Sequence, residues 1–192
     1  MGREFELKFA ATEEKQSAIL ADFREFTPIV METAYYDTPD GALAARRITL
    51  RRRMENGVAV CTVKTPADTH GRGEWEIQCS DITQAIPELC KLGAPKHLLL
   101  LTEGGVVYVC GAAFTRMAQT LVIPGAVIEL AVDKGKLFGG SREAPICEVE
   151  AELKEGSEEA LINWAREFAR RYDLSPERSS KFNRASALAR EG

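Results

Sequence analysis

The sequence has few of the residues that bind soft metals or build disulfide scaffolds. It contains only two histidines, His70 and His97, and its five cysteines include no CxxC pair. A zinc site needs closely spaced nitrogen and sulfur ligands, which this chain does not offer. An odd number of cysteines among apolar neighbours indicates buried thiols in a reducing compartment.

The sequence also lacks a basic excess and a long apolar run. Its net charge is −4, whereas general nucleic-acid binders and proteins of anionic membrane surfaces carry an excess of basic residues. The longest aliphatic run, Leu98 to Leu101, is far shorter than the roughly 20 residues that cross a bilayer. Charged residues begin at Arg3, so no signal peptide is predicted. We therefore expect a cytoplasmic protein whose partners include neither nucleic acid nor a membrane.

What the chain does have predicts a single α+β domain over residues 1–192. A hydrophobic fraction of 45% and 192 residues suit one globular domain. About eight strand candidates follow one another through short turns, including Asn56-Gly57, a strong hairpin signal. Such neighbours pair antiparallel. The expected fold is an eight-stranded antiparallel β-barrel, a tunnel, with helices packed outside.

Three local predictions are specific enough to be tested. Residues 105–123 are predicted to form two strands that meet near Gly111, because glycine often marks a turn. Pro66 to Gly73 is predicted to form a loop. Ser175-Pro176 is predicted to start the final helix, since proline is favoured in the first helical turn.

The first strand candidate, Arg3 to Phe9, has one charged face. Strand side chains alternate between the two faces of a sheet, so Glu4, Glu6 and Lys8 share one face, opposite Phe5, Leu7 and Phe9. The apolar face indicates a core. The charged face could be an ordinary hydrated surface, or it could line an interior cavity.

Five more strands sort their charges in the same way, which favours the cavity. A hydrated sheet face usually mixes Thr, Ser, Lys and Gln, whereas these faces are sorted by sign. Like charges brought together inside a barrel need a ligand of opposite charge. The aligned side chains are Arg51 with Arg53, Lys64, Glu74 with Glu76, Glu129 with Asp133, and Glu148 with Glu150 and Glu152.

The two signs predict two kinds of ligand. Clustered carboxylates without histidine or cysteine suit a hard divalent cation such as Mg²⁺ or Mn²⁺. Clustered arginine and lysine suit a polyanion, because guanidinium groups match the geometry of phosphate oxygens. The sequence therefore predicts a metal and polyphosphate site inside the barrel.

Several of these stretches resemble the CYTH superfamily, also called triphosphate tunnel metalloenzymes. "EFELKF" looks like the family's ExExK signature, and "YYDTPDGALAARRITLRRR" resembles its tyrosine-rich strand, DTP turn and LRxR strand. "TVKTP", "GEWE", "IELAVDKG", "CEVEAELKEG" and "SKFNRA" follow in family order. The resemblance runs from Arg3 to about Arg184. It implies an eight-stranded tunnel that binds a triphosphate and a divalent metal.

The resemblance also implies roles for individual residues. Arg52 departs from the family pattern and is expected to point outward, and Lys181, on a predicted helix, could instead be a solvated surface lysine. Glu74 and Glu152 are less secure acidic positions. The implied metal ligands are Glu4, Glu6, Glu148 and Glu150. The implied triphosphate-binding residues are Lys8, Arg51, Arg53, Lys64, Arg116 and Lys181. The implied catalytic residues are Lys8, Arg51, Arg53, Glu76, Glu129 and Asp133, of which the three acids would hold a second metal or orient water.

The activity that the resemblance implies is metal-dependent hydrolysis of a small-molecule triphosphate, with inorganic triphosphate as the first candidate and Mg²⁺ or Mn²⁺ as cofactor. The main alternative is a class IV adenylate cyclase, which forms cyclic AMP from ATP. Further alternatives are a thiamine or nucleoside triphosphatase and a polyphosphate binder without catalysis. A homodimer stays compatible with the sequence.

Overall fold

The computed structural model describes the backbone of residues 2–68 and 71–190, and the side chains of residues 5–66 and 73–190. Within these ranges the chain forms ten strands and six helices. The strands are β1 (Gly2–Glu4), β2 (Glu6–Ala10), β3 (Thr27–Asp37), β4 (Thr49–Glu55), β5 (Val58–Asp68), β6 (Gly71–Gln78), β7 (Val107–Ile123), β8 (Ala126–Gly139), β9 (Arg142–Gly156) and β10 (Ser175–Pro176). The helices are α1 (Glu13–Asp22), α2 (Ala42–Ala45), α3 (Ile82–Lys91), α4 (His97–Leu101), α5 (Glu158–Arg171) and α6 (Lys181–Arg190).

All ten strands belong to one antiparallel sheet, in the order β1-β6-β5-β4-β3-β7-β8-β9-β2-β10. The hydrogen-bonded ladder is not a closed ring. However, β1 and β2 lie at or near opposite ends of this order and are separated along the chain by Phe5 alone. One interrupted N-terminal strand therefore draws the two ends of the sheet together. The predicted fold class, an antiparallel tunnel of eight main strands, is confirmed, with β1 and β2 counted as one strand and β10 as a two-residue addition.

The apolar strand faces pack outward against helices. One hydrophobic cluster joins α1 and α5 to β2, β8 and β9, with Ile19, Leu130, Val149 and Leu161 among its fully buried members. A second cluster packs α2, α3 and α4 on β4, β5 and β6 around Leu50, Val63 and Leu89. These outer cores leave the charged strand faces on the concave side of the sheet.

Helix α6 is the exception to the prediction that helices pack outside. Its residues Phe182 and Ala185 cluster with Met31, Tyr35 and Phe114, which belong to the inward strand faces. The ring centroids of Phe182 and Tyr35 are 5.2 Å apart. A Cβ on Gly139 would lie 2.3 Å from the Ala185 carbonyl oxygen, so this glycine allows the close approach of α6 to β8. The helix therefore covers part of the concave face.

The hairpin between β4 and β5 is confirmed. Asn56 and Gly57 adopt positive φ values of 47° and 87°, the backbone that a two-residue hairpin turn requires.

The three local predictions of the sequence are wrong. Residues 107–123 form one continuous strand, because Gly111 serves a close approach rather than a turn: a Cβ there would lie 2.8 Å from the Thr33 carbonyl oxygen of β3. The predicted loop Pro66 to Gly73 belongs largely to strands, since β5 runs to Asp68 and β6 begins at Gly71. Ser175-Pro176 pairs with β2 as β10, and the last helix begins at Lys181.

The turn after β3 depends on one buried carboxylate. Asp37 accepts hydrogen bonds from the backbone N–H groups of Thr38 at 2.7 Å, Leu43 at 2.8 Å and Ala44 at 3.1 Å. The side chain is buried. It thereby fixes the first turn of α2 against the end of β3.

Replacing Asp37 is expected to destabilise the fold. Asp37→Ala leaves three N–H groups without their acceptor and should lower the free energy of unfolding by about 2–4 kcal/mol. Asp40→Ala is the matched control, because Asp40 is exposed, in contrast to the buried Asp37, and lies in the same turn, where it accepts a hydrogen bond from the Thr38 hydroxyl. Urea denaturation measures both. Equal losses in the two variants would contradict this role of Asp37.

Two further features bear on the predictions. All five cysteines are free thiols. None of the described helices has the length and apolar character needed to cross a bilayer.

Candidate active site

The concave face of the sheet encloses a cavity of about 660 Å³. Strand alternation brings charged side chains to it from β2, β4, β5, β6, β7, β8 and β9, and α6 adds one more. Its basic lining residues are Lys8, Arg51, Arg53, Lys64, Arg116, Lys154 and Lys181. Its acidic lining residues are Glu6, Glu55, Glu74, Glu76, Glu129, Glu150 and Glu152.

One wall of the cavity is predominantly basic. Arg51 and Arg53 alternate along β4, and the neighbouring β5 contributes Lys64. Glu74 of β6 lies opposite Lys64 in the register, and one of its carboxylate oxygens is 3.2 Å from the Lys64 ammonium and 3.5 Å from an Arg51 nitrogen. Arg53 pairs with Glu55, and all three cations line the cavity, where their donor groups can meet a bound anion.

Burial makes the charged forms of the cavity's basic side chains less favourable. Desolvation lowers the pKa of Arg53, and the neighbouring Arg51 lowers it further, while the ion pair with Glu55 opposes the shift. Lys8, on the other side of the cavity, also has a lowered pKa because of burial, against the attraction of Glu150 and Glu6. A polyanion that entered the cavity would therefore gain more from these groups than from cations in water.

A second wall is acidic. In the strand register, Glu152 of β9 lies directly across from Glu6 of β2 on one side and from Glu129 of β8 on the other. Lys154 is 2.9 Å from Glu152 and 3.9 Å from Glu129. This row continues the charged faces of β2, β8 and β9 that the sequence predicts.

Three buried carboxylates form an acidic trio, defined as Asp133, Glu148 and Glu150. Each contributes a carboxylate oxygen, and these oxygens all lie within 4.8 Å of one another. Asp133 is 0% exposed and Glu148 is 1% exposed. Such a cluster requires compensating cations.

Three cations compensate the acidic trio. Arg116 donates to both carboxylate oxygens of Asp133, at 2.8 and 2.7 Å, and also pairs with Glu150. The Lys181 ammonium is 2.8 Å from one oxygen of each member of the trio. Arg184 pairs with Glu148. Three negative and three positive charges thus balance within this buried cluster.

These ion pairs decide the protonation states of the cluster. Burial alone would raise the pKa of Glu150, but Lys181 and Arg116 outweigh burial and hold that pKa well below its ordinary value. Burial would lower the pKa values of Arg116 and Lys181, but Glu150 and Asp133 raise both. At neutral pH Glu150, Arg116 and Lys181 are therefore ionised.

A buried glutamine holds the strands beneath the trio. Gln16 of α1 is 3% exposed, and its side-chain amide donates to the carbonyl oxygens of Asp133 at 2.8 Å and Glu148 at 3.0 Å. One side chain of the outer layer thus links the backbones from which two members of the trio project.

The donor atoms fit a hard divalent cation. The trio offers only carboxylate oxygens in close proximity, without nitrogen or sulfur, and Mg²⁺ and Mn²⁺ prefer such ligands. Glu6, Glu129 and Glu152 offer further carboxylates on the cavity wall. Such an ion would thus be held by Glu148 and Glu150, with Asp133 beside them.

The predicted site residues are placed as follows. Lys8, Arg51, Arg53, Lys64, Arg116 and Lys181, the predicted triphosphate-binding residues, all line the cavity. Glu6, Glu76, Glu129 and Glu150 line it as well, and Asp133 and Glu148 lie buried against Lys181. The side chain of Glu4 lies outside the described residues. Arg52 is absent from the lining and donates to the Ser80 carbonyl oxygen.

Sequence reasoning missed four residues of the site. Glu55 and Lys154 continue the alternation of Arg51 and Arg53 on β4 and of Glu150 and Glu152 on β9. Extending each pattern by two residues would have found them. Tyr35 lines the cavity as a buried phenol, and Arg184 reaches Glu148 from α6. For these two, the sequence has no comparable periodic signal.

Comparison with known proteins identifies the family. The CYTH domain family matches residues 2–186. The chain belongs to the CYTH domain family. This confirms the resemblance seen in the sequence, and the match extends over nearly the whole of this CYTH chain.

Individual relatives agree with that assignment. An inorganic triphosphatase of Haemophilus influenzae is 28% identical over an alignment of 197 positions that covers 98% of this chain and 55% of the relative. The CYTH chain thus spans about half the length of the curated relative it matches. Among solved structures, an adenylyl cyclase candidate from Hippeastrum, described as having a dominant triphosphatase activity, superposes with a TM-score of 0.66 at 19% identity, covering 99% of this chain and 96% of that one. An adenylate cyclase candidate from Bacillus halodurans gives a TM-score of 0.62 at 15% identity, covering 94% and 96%. These two similarities show a shared fold.

Proposed function

We propose that this CYTH protein hydrolyses inorganic triphosphate to pyrophosphate and orthophosphate, with Mg²⁺ or Mn²⁺ as cofactor. The observation that carries the proposal is the cavity, in which the basic wall of Arg51, Arg53 and Lys64 and the carboxylates of β8 and β9 enclose one space of about 660 Å³. A phosphate chain carries several negative charges and no apolar surface, which matches a lining of this kind. The name of the Haemophilus relative supports the same substrate.

The residues of the cavity account for the chemistry. Phosphoryl transfer depends mainly on positioning and on neutralising charge in the transition state. Arg51, Arg53 and Lys64 would bind the phosphate oxygens and hold the chain in line. Glu76 and Glu129, on other strands of the lining, would orient the attacking water. A bound divalent cation would supply Lewis-acid neutralisation of the phosphate oxygens.

The basic wall lies on β4 and β5, whereas the carboxylates that would hold the metal lie on β2 and β9. Glu148 and Glu150 would hold the divalent cation together with Glu6, and Lys8 and Arg116 would complete the binding of the phosphate chain. Because the sheet curves around the cavity and α6 covers part of it, the reaction would take place in a partly enclosed space, where these charges act more strongly than in bulk water.

The test is a panel of substrates assayed in parallel. Inorganic triphosphate, thiamine triphosphate and ATP would each be incubated with Mg²⁺ or Mn²⁺, and orthophosphate and cyclic AMP would be measured. We expect inorganic triphosphate to be the fastest substrate, with orthophosphate and pyrophosphate formed in equal amounts. Cyclic AMP from ATP without orthophosphate would instead make the protein a cyclase. Tight triphosphate binding without turnover would make it a binder.

A further inference from the structure

The Lys181 ammonium occupies the centre of the acidic trio. Its nitrogen is 2.8 Å from an oxygen of Asp133, of Glu148 and of Glu150. Among the described residues, the oxygens of these same three carboxylates lie close enough together to hold a metal ion. An ammonium and a divalent cation that use the same oxygens cannot occupy this space together, because they overlap and repel.

The charge balance leads to the same conclusion. With Lys181, Arg116 and Arg184 in place, the trio is already neutralised, so a divalent cation would add two uncompensated charges to a buried cluster. Of the three cations, Arg116 is fixed by two parallel hydrogen bonds to Asp133. Lys181 makes one contact to each member of the trio from the end of a flexible stem, and it is the cation whose nitrogen lies against all three carboxylates that would hold the metal.

The position of α6 allows the side chain to move while the helix stays in place. Phe182 packs on Tyr35, and Ala185 is buried against Gly139 of β8. The Lys181 ammonium lies 5.1 Å from the centroid of the Phe114 ring and lines the cavity. Rotation of the stem would therefore carry the charge from the trio into the space where a phosphate chain would lie.

We propose that Lys181 is a placeholder cation, which competes with the divalent metal for the acidic trio and is released towards the phosphate chain when the metal binds. The release of Lys181 towards a phosphate chain rests on the proposed function, whereas its competition with the metal does not. It makes metal binding and phosphate binding cooperative, because the ion that occupies the trio also frees one positive charge for the substrate. It also limits the charge of this buried cluster, because a metal bound beside all three cations would leave two excess positive charges and the release of Lys181 lowers that excess to one.

The experiment measures Mn²⁺ binding to the substrate-free protein by isothermal titration calorimetry. Lys181→Met is expected to bind Mn²⁺ at least about tenfold more tightly than the wild type, because the competing ammonium is gone. The matched control is Lys154→Met, which removes a lysine of the same cavity that contacts Glu129 and Glu152 rather than the trio. It is expected to change the affinity by less than about threefold. Equal changes in the two variants, or weaker binding by Lys181→Met, would overturn the proposal.

Two further measurements keep the test decisive if Lys181→Met folds poorly. Lys181→Arg retains a cation and is expected to bind Mn²⁺ within about threefold of the wild type. In the wild type, the ¹H–¹⁵N signal of the Lys181 ammonium should be observable without metal and should shift or broaden as diamagnetic Mg²⁺ is added. A signal unchanged at saturating Mg²⁺ would contradict displacement.

None of these titrations contains a phosphate compound. A protein that failed to hydrolyse any triphosphate could still show the competition, and an active triphosphatase could fail to show it. The two proposals are therefore tested separately.

Discussion

Arg51→Ala is expected to reduce the rate of triphosphate hydrolysis by about 100-fold or more while the fold persists. Arg51 lines the cavity on the basic wall, and its guanidinium is directed towards the space for the phosphate chain. Removing one preorganised cation from a buried phosphoryl-transfer site withdraws charge stabilisation that water replaces poorly. Glu74 keeps Lys64 as an ion-pair partner at 3.2 Å, so the substitution leaves no isolated buried charge.

Arg52→Ala is the control for this prediction. Arg52 is the adjacent residue on the same strand, projects from the opposite face, and donates to the Ser80 carbonyl oxygen. Both variants lose one arginine from β4, so they change net charge equally. Steady-state kinetics should show a large loss for Arg51→Ala and a change of less than about threefold for Arg52→Ala. Equal losses in the two variants would mean that activity does not depend on which face of β4 carries the arginine. The cavity would then not be the site of the reaction.

Glu150→Gln is expected to have the second large effect, a loss of at least about 100-fold in activity together with weaker Mn²⁺ binding. Glu150 is the member of the trio that also lines the cavity. Glutamine preserves the size of the side chain and removes its charge. Kinetics at saturating metal separate weaker metal binding, which excess Mn²⁺ should partly overcome, from loss of catalysis.

Glu143→Gln is the control for Glu150→Gln. Glu143 lies on the same strand, is exposed, and pairs with Lys136 at 2.7 Å on the surface. The Glu143→Gln substitution should leave the Mn²⁺ affinity and the rate of hydrolysis unchanged within about twofold. If Glu143→Gln and Glu150→Gln weakened Mn²⁺ binding alike, the acidic trio would not be the metal site.

Glu150→Gln should also change how the stability of the fold depends on pH. The pKa of Glu150 is below its unfolded value of about 4.3, so its ionised form stabilises the fold above that pH and the contribution is lost as pH falls. The difference in melting temperature between the wild type and Glu150→Gln should therefore shrink below about pH 4. A difference that stayed constant from pH 7 to pH 3 would show that the ion pairs of Glu150 add no stability.

Strand periodicity explains why so much of the cavity could be predicted from the sequence. Arg51 and Arg53 are two residues apart on one strand, as are Glu148 and Glu150, and a twisted antiparallel sheet cannot direct such pairs to different faces. Once the hydrophobic residues between them were assigned to the outer core, the charged residues had to face inward. The same rule explains why Arg52 lies outside.

The parts that could not be predicted depend on tertiary contacts. The position of Lys181 at the centre of the trio depends on how α6 packs across the concave face, which no local pattern encodes. Gln16 lies on an outer helix, and only the structure shows its bonds to Asp133 and Glu148. Gly111 was misassigned because glycine serves both turns and close strand packing, and only the neighbouring Thr33 carbonyl distinguishes them.

A triphosphate is expected to bind inside the cavity, between the basic wall and the acidic trio. The most direct measurement is a crystal structure of the Glu150→Gln protein with inorganic triphosphate and Mn²⁺, in which anomalous scattering locates the metal. We expect phosphate density against Arg51, Arg53 and Lys64, with any bound Mn²⁺ beside Glu148. Triphosphate density on the outer surface, with the cavity filled only by water, would contradict it.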